Sequence, residues 1–308
     1  MIMRLMLVVT GLVLAALPVA AQPTKLVLIN NFSSLFMPAV VAKERGIFAA
    51  HGLDVSFSPT ALNSTMPAAL LAGSGQLAGT TTTVMLQAVS GGIPLVAVAG
   101  TALAWRGGTN EIVVARSGMG LARPADFVGH SVGVPGIGAI MDVFFRNWLM
   151  ANGTDPGRVR FVEVGLPQAL DALRNGSVDA EVMADPASHL AVKGGLGREV
   201  GNIWDVLDAQ TPIVVWSAVA SWVHDHEDAV HRFQAANREA VLWCEQNPGP
   251  AKEILVAYLK LPAAAAAQVD PPKLAADVTA AELDVMQRIM LKQGMLPAAL
   301  DTSTLVAR

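Results

Sequence analysis

A chain of 308 residues that is 53% hydrophobic and only 15% charged can bury a large core, and its length favours two domains. The formal net charge of -4, with no cluster of lysine and arginine, excludes a protein that lives on nucleic acid. Cys244 has no second cysteine to pair with, so the fold relies on its core; it falls in a helical pattern with Val230, Phe233, Ala240 and Val241 and is expected to be a buried, inert thiol.

The first residues read as an export signal. Arg4 is followed by an apolar run from Leu5 to Leu17, and Val19 and Ala21 are small residues suited to cleavage after Ala21. That run is too short for a membrane span, which needs roughly 20 residues. The residue after the cut is Gln22, not cysteine, so the exported chain is expected to carry no lipid.

From Lys25 onward, short β-type runs alternate with helical ones, the pattern of mainly parallel sheets flanked by helices, an α/β class. Residues 25–29 form a first strand, and Asn31, Phe32 and Ser33 lead into a helix containing Pro38 and Val41. Leu53 to Phe57 is the second strand; Asn63 and Ser64 open the next helix, with Pro67 in its first turn. Gln76 to Gly79 is the third strand, and Thr80 to Thr83 form its turn into a helix that closes at Gly91 and Gly92. These turns place hydroxyls and amides at one edge of a sheet, where the strand C-termini of an α/β protein receive ligands.

After a fourth strand, Pro94 to Ala99, the texture changes around Trp105, Arg106, Gly107 and Gly108. Ile112 to Ala115 then begins a second sheet. Its centre is Ser131–Gly153: a strand, the turn Gly136-Ile137-Gly138, and a helix on which Met141, Phe144 and Trp148 recur. A glycine turn before a helix leaves amides open to an anion or a carbonyl. Val159 to Val164 and Val178 to Ala184 are further strands, with a helix from Pro167 to Asn175 between them, and Asp185-Pro186 starts the next helix. Pro212 to Val219 carries the chain back to the first sheet, and helices follow. Asp225 is expected to cap the first of them, and Thr279 with Glu282 forms a capping box.

Three sets of residues carry a further signal. Ala42-Lys43-Glu44-Arg45-Gly46-Ile47-Phe48 with His51-Gly52-Leu53-Asp54-Val55 is similar to the opening motif of solute-binding proteins of ABC importers, in the nitrate, sulfonate, taurine and thiamine-precursor group. Residues 124–134, PADFVGHSVGV, resemble that family's strand into the second domain, and residues 169–180, ALDALRNGSVDA, the segment before its second cleft wall. The resemblance implies a two-lobed periplasmic-binding-protein clamshell of type II with two crossovers. It places residues 22–103 and 213–308 in one lobe, 104–212 in the other, and a ligand between them. It also implies a periplasmic monomer that serves an inner-membrane permease.

The candidate ligand contacts are Asn31, Phe32, Ser33, Asn63, Ser64, Thr81, Thr82, Gly136, Ile137, Gly138, Asp185 and Trp216. Helix capping competes for the hydroxyls and for Asp185, and core packing competes for Trp216. With no basic residue in these turns, an anion such as a sulfonate, carboxylate or nitrate would be held by amides and hydroxyls; a pyrimidine-like ring is the neutral option. No cofactor or metal is called for. His224, His226 and His231 lack the i, i+4 spacing of a helical zinc pair, and nucleophile-elbow, dinucleotide and P-loop patterns are missing. The chain is therefore expected not to be an enzyme. A thiamine-pyrimidine-synthase-like enzyme on the same fold and a periplasmic sensor subunit are the alternatives.

Overall fold

A computed structural model describes residues 22–108, 111–207, 210–267, 269 and 271–307. The expected export signal, residues 1–21, lies outside them. Among the described residues no helix is long and apolar enough to cross a membrane.

Two sheets organise the chain. The first holds β1 (Thr24–Asn30), β2 (Leu53–Pro59), β3 (Leu77–Thr81), β4 (Leu95–Ala104), β10 (Thr211–Val219) and β11 (Lys273–Leu274), in the order β11-β4-β10-β3-β1-β2. The second holds β5 (Glu111–Arg116), β6 (Ser131–Val134), β7 (Arg160–Glu163), β8 (Ala180–Ala184) and β9 (Gly197–Asn202), in the order β7-β6-β8-β5-β9.

Both sheets are mixed, which corrects the expectation of mainly parallel ones. β1 runs parallel to β2 and β3, but β10 is antiparallel to both β3 and β4. β6 runs parallel to β7 and β8, but β5 is antiparallel to β8 and β9. The reason is the connectivity. β4 and β10 are the strands that leave and re-enter the first sheet, and a chain returning from the second sheet enters from the opposite end. β9, rich in glycine and charge, carries no apolar alternation, so its sequence predicts no strand.

The strand directions place the crevice. Asn30, Pro59, Thr81 and Ala104 end their strands at one edge of the first sheet, where β10 begins with Thr211. In the second sheet Val134, Glu163 and Ala184 end at one edge, and Glu111 pairs with Ala184 there. The two connections between the sheets join these edges, so the loops that follow the strands converge.

Each sheet has its own aromatic core. In the first, Trp216 packs between Phe36 (centroids 5.4 Å apart) and Phe233 (5.8 Å). Phe36 lies directly over Gly79 of β3: a Cβ there would stand 1.9 Å from the ring, so only glycine admits this contact. In the second, Phe144 meets Trp204 at 5.0 Å, and Phe127, Phe145 and Trp148 cluster beside them. Burying a ring of this size contributes roughly 1.5–3 kcal/mol. The helix Glu227–Gln246 buries Val230, Phe233 and Cys244 against the first sheet's side of the molecule, but its N-terminus has no side-chain cap. The expected Asp225 cap is replaced by a short preceding helix, Ala220–Asp225, which runs through that position. The Thr279 and Glu282 capping box forms as expected.

Candidate functional site

The loop after β1 begins with two asparagines. Asn30 Nδ2 donates to the Asn31 carbonyl and to Tyr258 Oη, both at 3.1 Å, which pins the strand end against the C-terminal turn of the helix Pro248–Leu259. Asn31 Nδ2 donates to Asn63 Oδ1 at 2.8 Å, so two of the expected site residues join adjacent loops. Both are buried, whereas Phe32 between Asn31 and Ser33 is 49% exposed.

The hydroxyls are largely engaged in local structure. Ser33 Oγ accepts from Leu35 N, and Thr81 Oγ1 accepts from Val84 N, each opening a helical turn. Thr82 Oγ1 donates to the Pro212 carbonyl at 2.7 Å and ties the β3 turn to the returning strand β10. Trp216 is fully buried, so its place is the aromatic core described above and not a wall for stacking a ligand.

The glycine turn of the second sheet also differs from expectation. Its amides are not open: Ile137 N donates to Glu163 Oε1 at 3.1 Å and Gly138 N to Asp142 Oδ2 at 2.8 Å. Asp142 sits in the first turn of the helix Ile140–Ala151 and reaches back over its start, where a carboxylate is favoured by the helix dipole. Arg146 Nε donates to Asp142 Oδ1 at 2.7 Å. Burial nevertheless pushes the Asp142 carboxyl above its ordinary range, with Arg146 and the Gly138 amide opposing that rise. The turn's role is a docking one. Ser64 Oγ, from the first sheet's side, donates to Glu163 Oε1 at 2.8 Å, and a Cβ on Gly138 would fall 2.3 Å from Gln87 Oε1 on the helix Thr82–Ser90.

A cavity of about 390 Å³, within the range of small-molecule sites, is lined by other residues from both sheets' sides. Phe32, Leu259 and Leu261 line it from the first sheet's side, and Leu166, Leu170 and Asp185 from the second's. Asp185 Oδ1 accepts from Ser188 Oγ at 2.9 Å and lies 2.6 Å from His189 Nδ1. The Asp185–Pro186 peptide is cis, and Pro186 precedes the helix Ala187–Lys193. Glu111, at the start of β5, is fully buried and accepts from Trp204 Nε1 at 2.9 Å. Burial holds its carboxyl up at about 7; the indole N–H opposes this and the Asp185 charge adds to it.

The cavity thus brings together Phe32 and Asp185 of the expected set. Asn31, Asn63, Ser64 and the Gly136–Gly138 turn stand at the junction of the two sheets, while Ser33, Thr81, Thr82 and Trp216 serve the first sheet's own structure. Glu163, Asp142, Gln87 and Glu111 are absent from the expected set. Glu163 ends β7, so the rule that strand C-termini line the cleft was enough to find it; Gln87 sits inside a helix and carries no local signal. Among the described residues no group of three histidine, cysteine or acidic side chains is placed to hold a metal ion.

Comparison with known proteins agrees with this architecture. The bicarbonate-binding protein CmpA of Synechococcus elongatus is 25% identical over 242 residues, 70% of this chain and 52% of that protein. The chain therefore spans about half the length of that relative. The alkanesulfonate-binding protein SsuA from Xanthomonas axonopodis pv. citri, solved with MOPS, superposes with a TM-score of 0.78 at 18% identity, covering 93% of this chain and 99% of that one. The periplasmic nitrate-binding protein NrtA from Synechocystis PCC 6803 superposes with a TM-score of 0.76 at 18% identity, covering 92% and 84%. These two likenesses establish the periplasmic-binding-protein fold. The NMT1/THI5-like family matches residues 33–251, which include the second sheet's crevice edge and the whole glycine clasp, and the chain belongs to that family.

Proposed function

We propose that this chain is the solute-binding component of an ABC importer: it takes up a small solute between two lobes and passes it to an inner-membrane permease. Residues 22–103 with 213–308 form one lobe in this reading, and 104–212 the other. The observation that carries it is the cavity of about 390 Å³ walled by loops from both sheets, because a site built from two bodies is closed by their approach. The family and its bicarbonate- and nitrate-binding relatives support the same reading.

Binding without turnover is the activity proposed. Phe32 and Asp185 touch the solute, Asn31 and Asn63 shape the first lobe's lip, and Ser64 with the glycine clasp holds the lobes together. Removal of residues 1–21 would release the chain to the periplasm, where it acts as a monomer. A thermal-shift screen of nitrate, bicarbonate, sulfonates, carboxylates and pyrimidines tests the proposal. A true ligand at a hundred times its Kd stabilises the protein by about 2.7 kcal/mol and raises the melting temperature. The ligand should be recovered chemically unchanged. A screen in which no compound shifts the melting temperature refutes the reading.

A further inference from the structure

The cavity walled from both sheets' sides is a hydrocarbon one. Phe32, Leu259 and Leu261 line it from one side and Leu166, Leu170 and Leu190 from the other, and among the described lining residues only Asp185 has a polar side chain. That carboxylate is turned inward: the side chain is 0% exposed, Ser188 Oγ donates to it at 2.9 Å, and His189 Nδ1 lies 2.6 Å away. The residue as a whole is 4% exposed, so Asp185 meets the cavity through its main chain.

Donors around the crevice are committed to the protein itself. The Ile137 and Gly138 amides donate to Glu163 and Asp142, Asn31 Nδ2 donates to Asn63, and Thr82 Oγ1 donates to the Pro212 carbonyl. A solute's polar head therefore meets no ready partner in this wall, and affinity here has to come from carbon. Water against hydrocarbon is poorly held, and an apolar group that displaces it gains affinity. The volume indicates the size of that group. An apolar cavity of about 150 Å³ takes one benzene ring, and one of about 390 Å³ has room for two fused rings.

We infer that this cavity holds the hydrocarbon body of an organic solute, with the bulk of about two fused rings, and that the body and not the charge of the head group sets specificity. This rests on the solute-binding reading above and specifies the class of solute. Phe32 is 49% exposed and offers a ring face for stacking, while Leu170 and Leu190 project from the helices Ala169–Asn175 and Ala187–Lys193 of the second sheet's side. A body seated between them buries carbon on both sides at once and so favours their approach. Its head group remains hydrated outside the wall.

Isothermal titration of the purified chain tests the inference with two sets of probes. 1-Naphthoate, naphthalene-1-sulfonate and neutral 1-naphthol share a body and differ in head; acetate, methanesulfonate and nitrate keep a charge and lack the body. The naphthyl compounds are expected to bind within about tenfold of one another, and 1-naphthoate about a hundredfold or more tighter than acetate, since each methylene-sized unit buried is worth about fourfold. Phe32→Ala, at an exposed ring, should weaken 1-naphthoate about tenfold with an unchanged unfolding midpoint. Ala187→Trp, at a half-buried wall position, fills the cavity from the other side and should weaken it by at least as much. Acetate, methanesulfonate or nitrate binding as tightly as the naphthyl compounds overturns the inference and leaves the solute-binding reading standing. A head exchange that alters affinity more than loss of the body does the same. Silence from all six probes overturns the inference and counts against that reading as well. Unchanged 1-naphthoate affinity in both variants places the body outside this cavity and overturns the inference.

Discussion

Ser64 Oγ donates to Glu163 Oε1 at 2.8 Å, and this bond joins a loop of the first sheet to the last residue of a strand in the second. The same carboxylate oxygen accepts from Ile137 N at 3.1 Å. Glu163 therefore sits between both sides of the crevice, and the contact exists only while the two sheets are together.

Replacing Glu163 by alanine should loosen that contact without disturbing either core. Because the bond is exposed, its net worth is about 1 kcal/mol, which corresponds to a several-fold loss of affinity for whichever solute the screen identifies. Small-angle scattering of the solute-free variant should show a larger radius of gyration than the parent, while the melting temperature stays close to it. An unaltered radius and affinity would mean that Glu163 does not hold the crevice closed.

Gly138 is the tighter constraint. Its φ of +77° lies in the left-handed region, and any Cβ meets Gln87 Oε1 at 2.3 Å. Gly138→Val is expected to lose about 1–3 kcal/mol in urea unfolding, mainly from backbone strain, since the end of the Gln87 side chain can swing aside. Adding Gln87→Ala relieves the contact but not the strain, so the double variant should recover only part of the loss. Full recovery would show that the backbone conformation costs nothing here.

Glu181 predicts a pH dependence. Buried on β8 with its Oε2 lacking a partner among the described residues, it is held by desolvation at about 9, against an ordinary value of 4.5. A carboxyl whose folded pKa is raised favours the folded state fully below the unfolded value and loses that contribution as pH climbs toward the folded one. Stability should therefore fall between about pH 4.5 and 9 on account of this group, by an amount on the order of a few kcal/mol. Glu181→Gln should flatten that decline, which urea denaturation at pH 5 and pH 8 would reveal as a stability gap that widens at the higher pH. An equal gap at both values would disprove it.

Cys244 is 1% exposed, and burial pushes its thiol up to about 12, with Glu245 adding to the rise. Iodoacetamide should label it slowly in the native protein and promptly in urea, because the thiolate is the reactive species. Rapid labelling of the folded chain at neutral pH would contradict this burial.

The alternation of strands and helices was legible in the chain because apolar periodicity and turn residues are local signals. β1 to β3, the helix Ile140–Ala151 and the returning strand β10 appear close to where their residues predict them. β9 was not legible, since Gly197–Asn202 is held in place by pairing with β5 and not by any pattern of its own. The mixed direction of the sheets depended on where the two connections cross, which is a property of the whole chain path.

For the site, the boundary between sequence and structure falls at the side-chain partners. The residues alone determined that strand-end loops carry Asn31, Asn63, Ser64, Asp185 and a glycine turn, because strand polarity and helix starts follow from local chemistry. Only the tertiary structure decided what those groups face. Glu163 comes from the end of another strand to occupy the Ile137 amide, and Asp142 reaches back from the adjoining helix turn to occupy that of Gly138, converting an apparent anion receptor into a joint between sheets. Trp216 became core because Phe36 and Phe233 enclose it from separate elements. The apolar wall of the cavity arises from leucines brought together across 90 residues and more of chain, and such convergence has no local signature. A residue's capacity to bind is written in its chemistry, but its freedom to do so is settled by which neighbours reach it first.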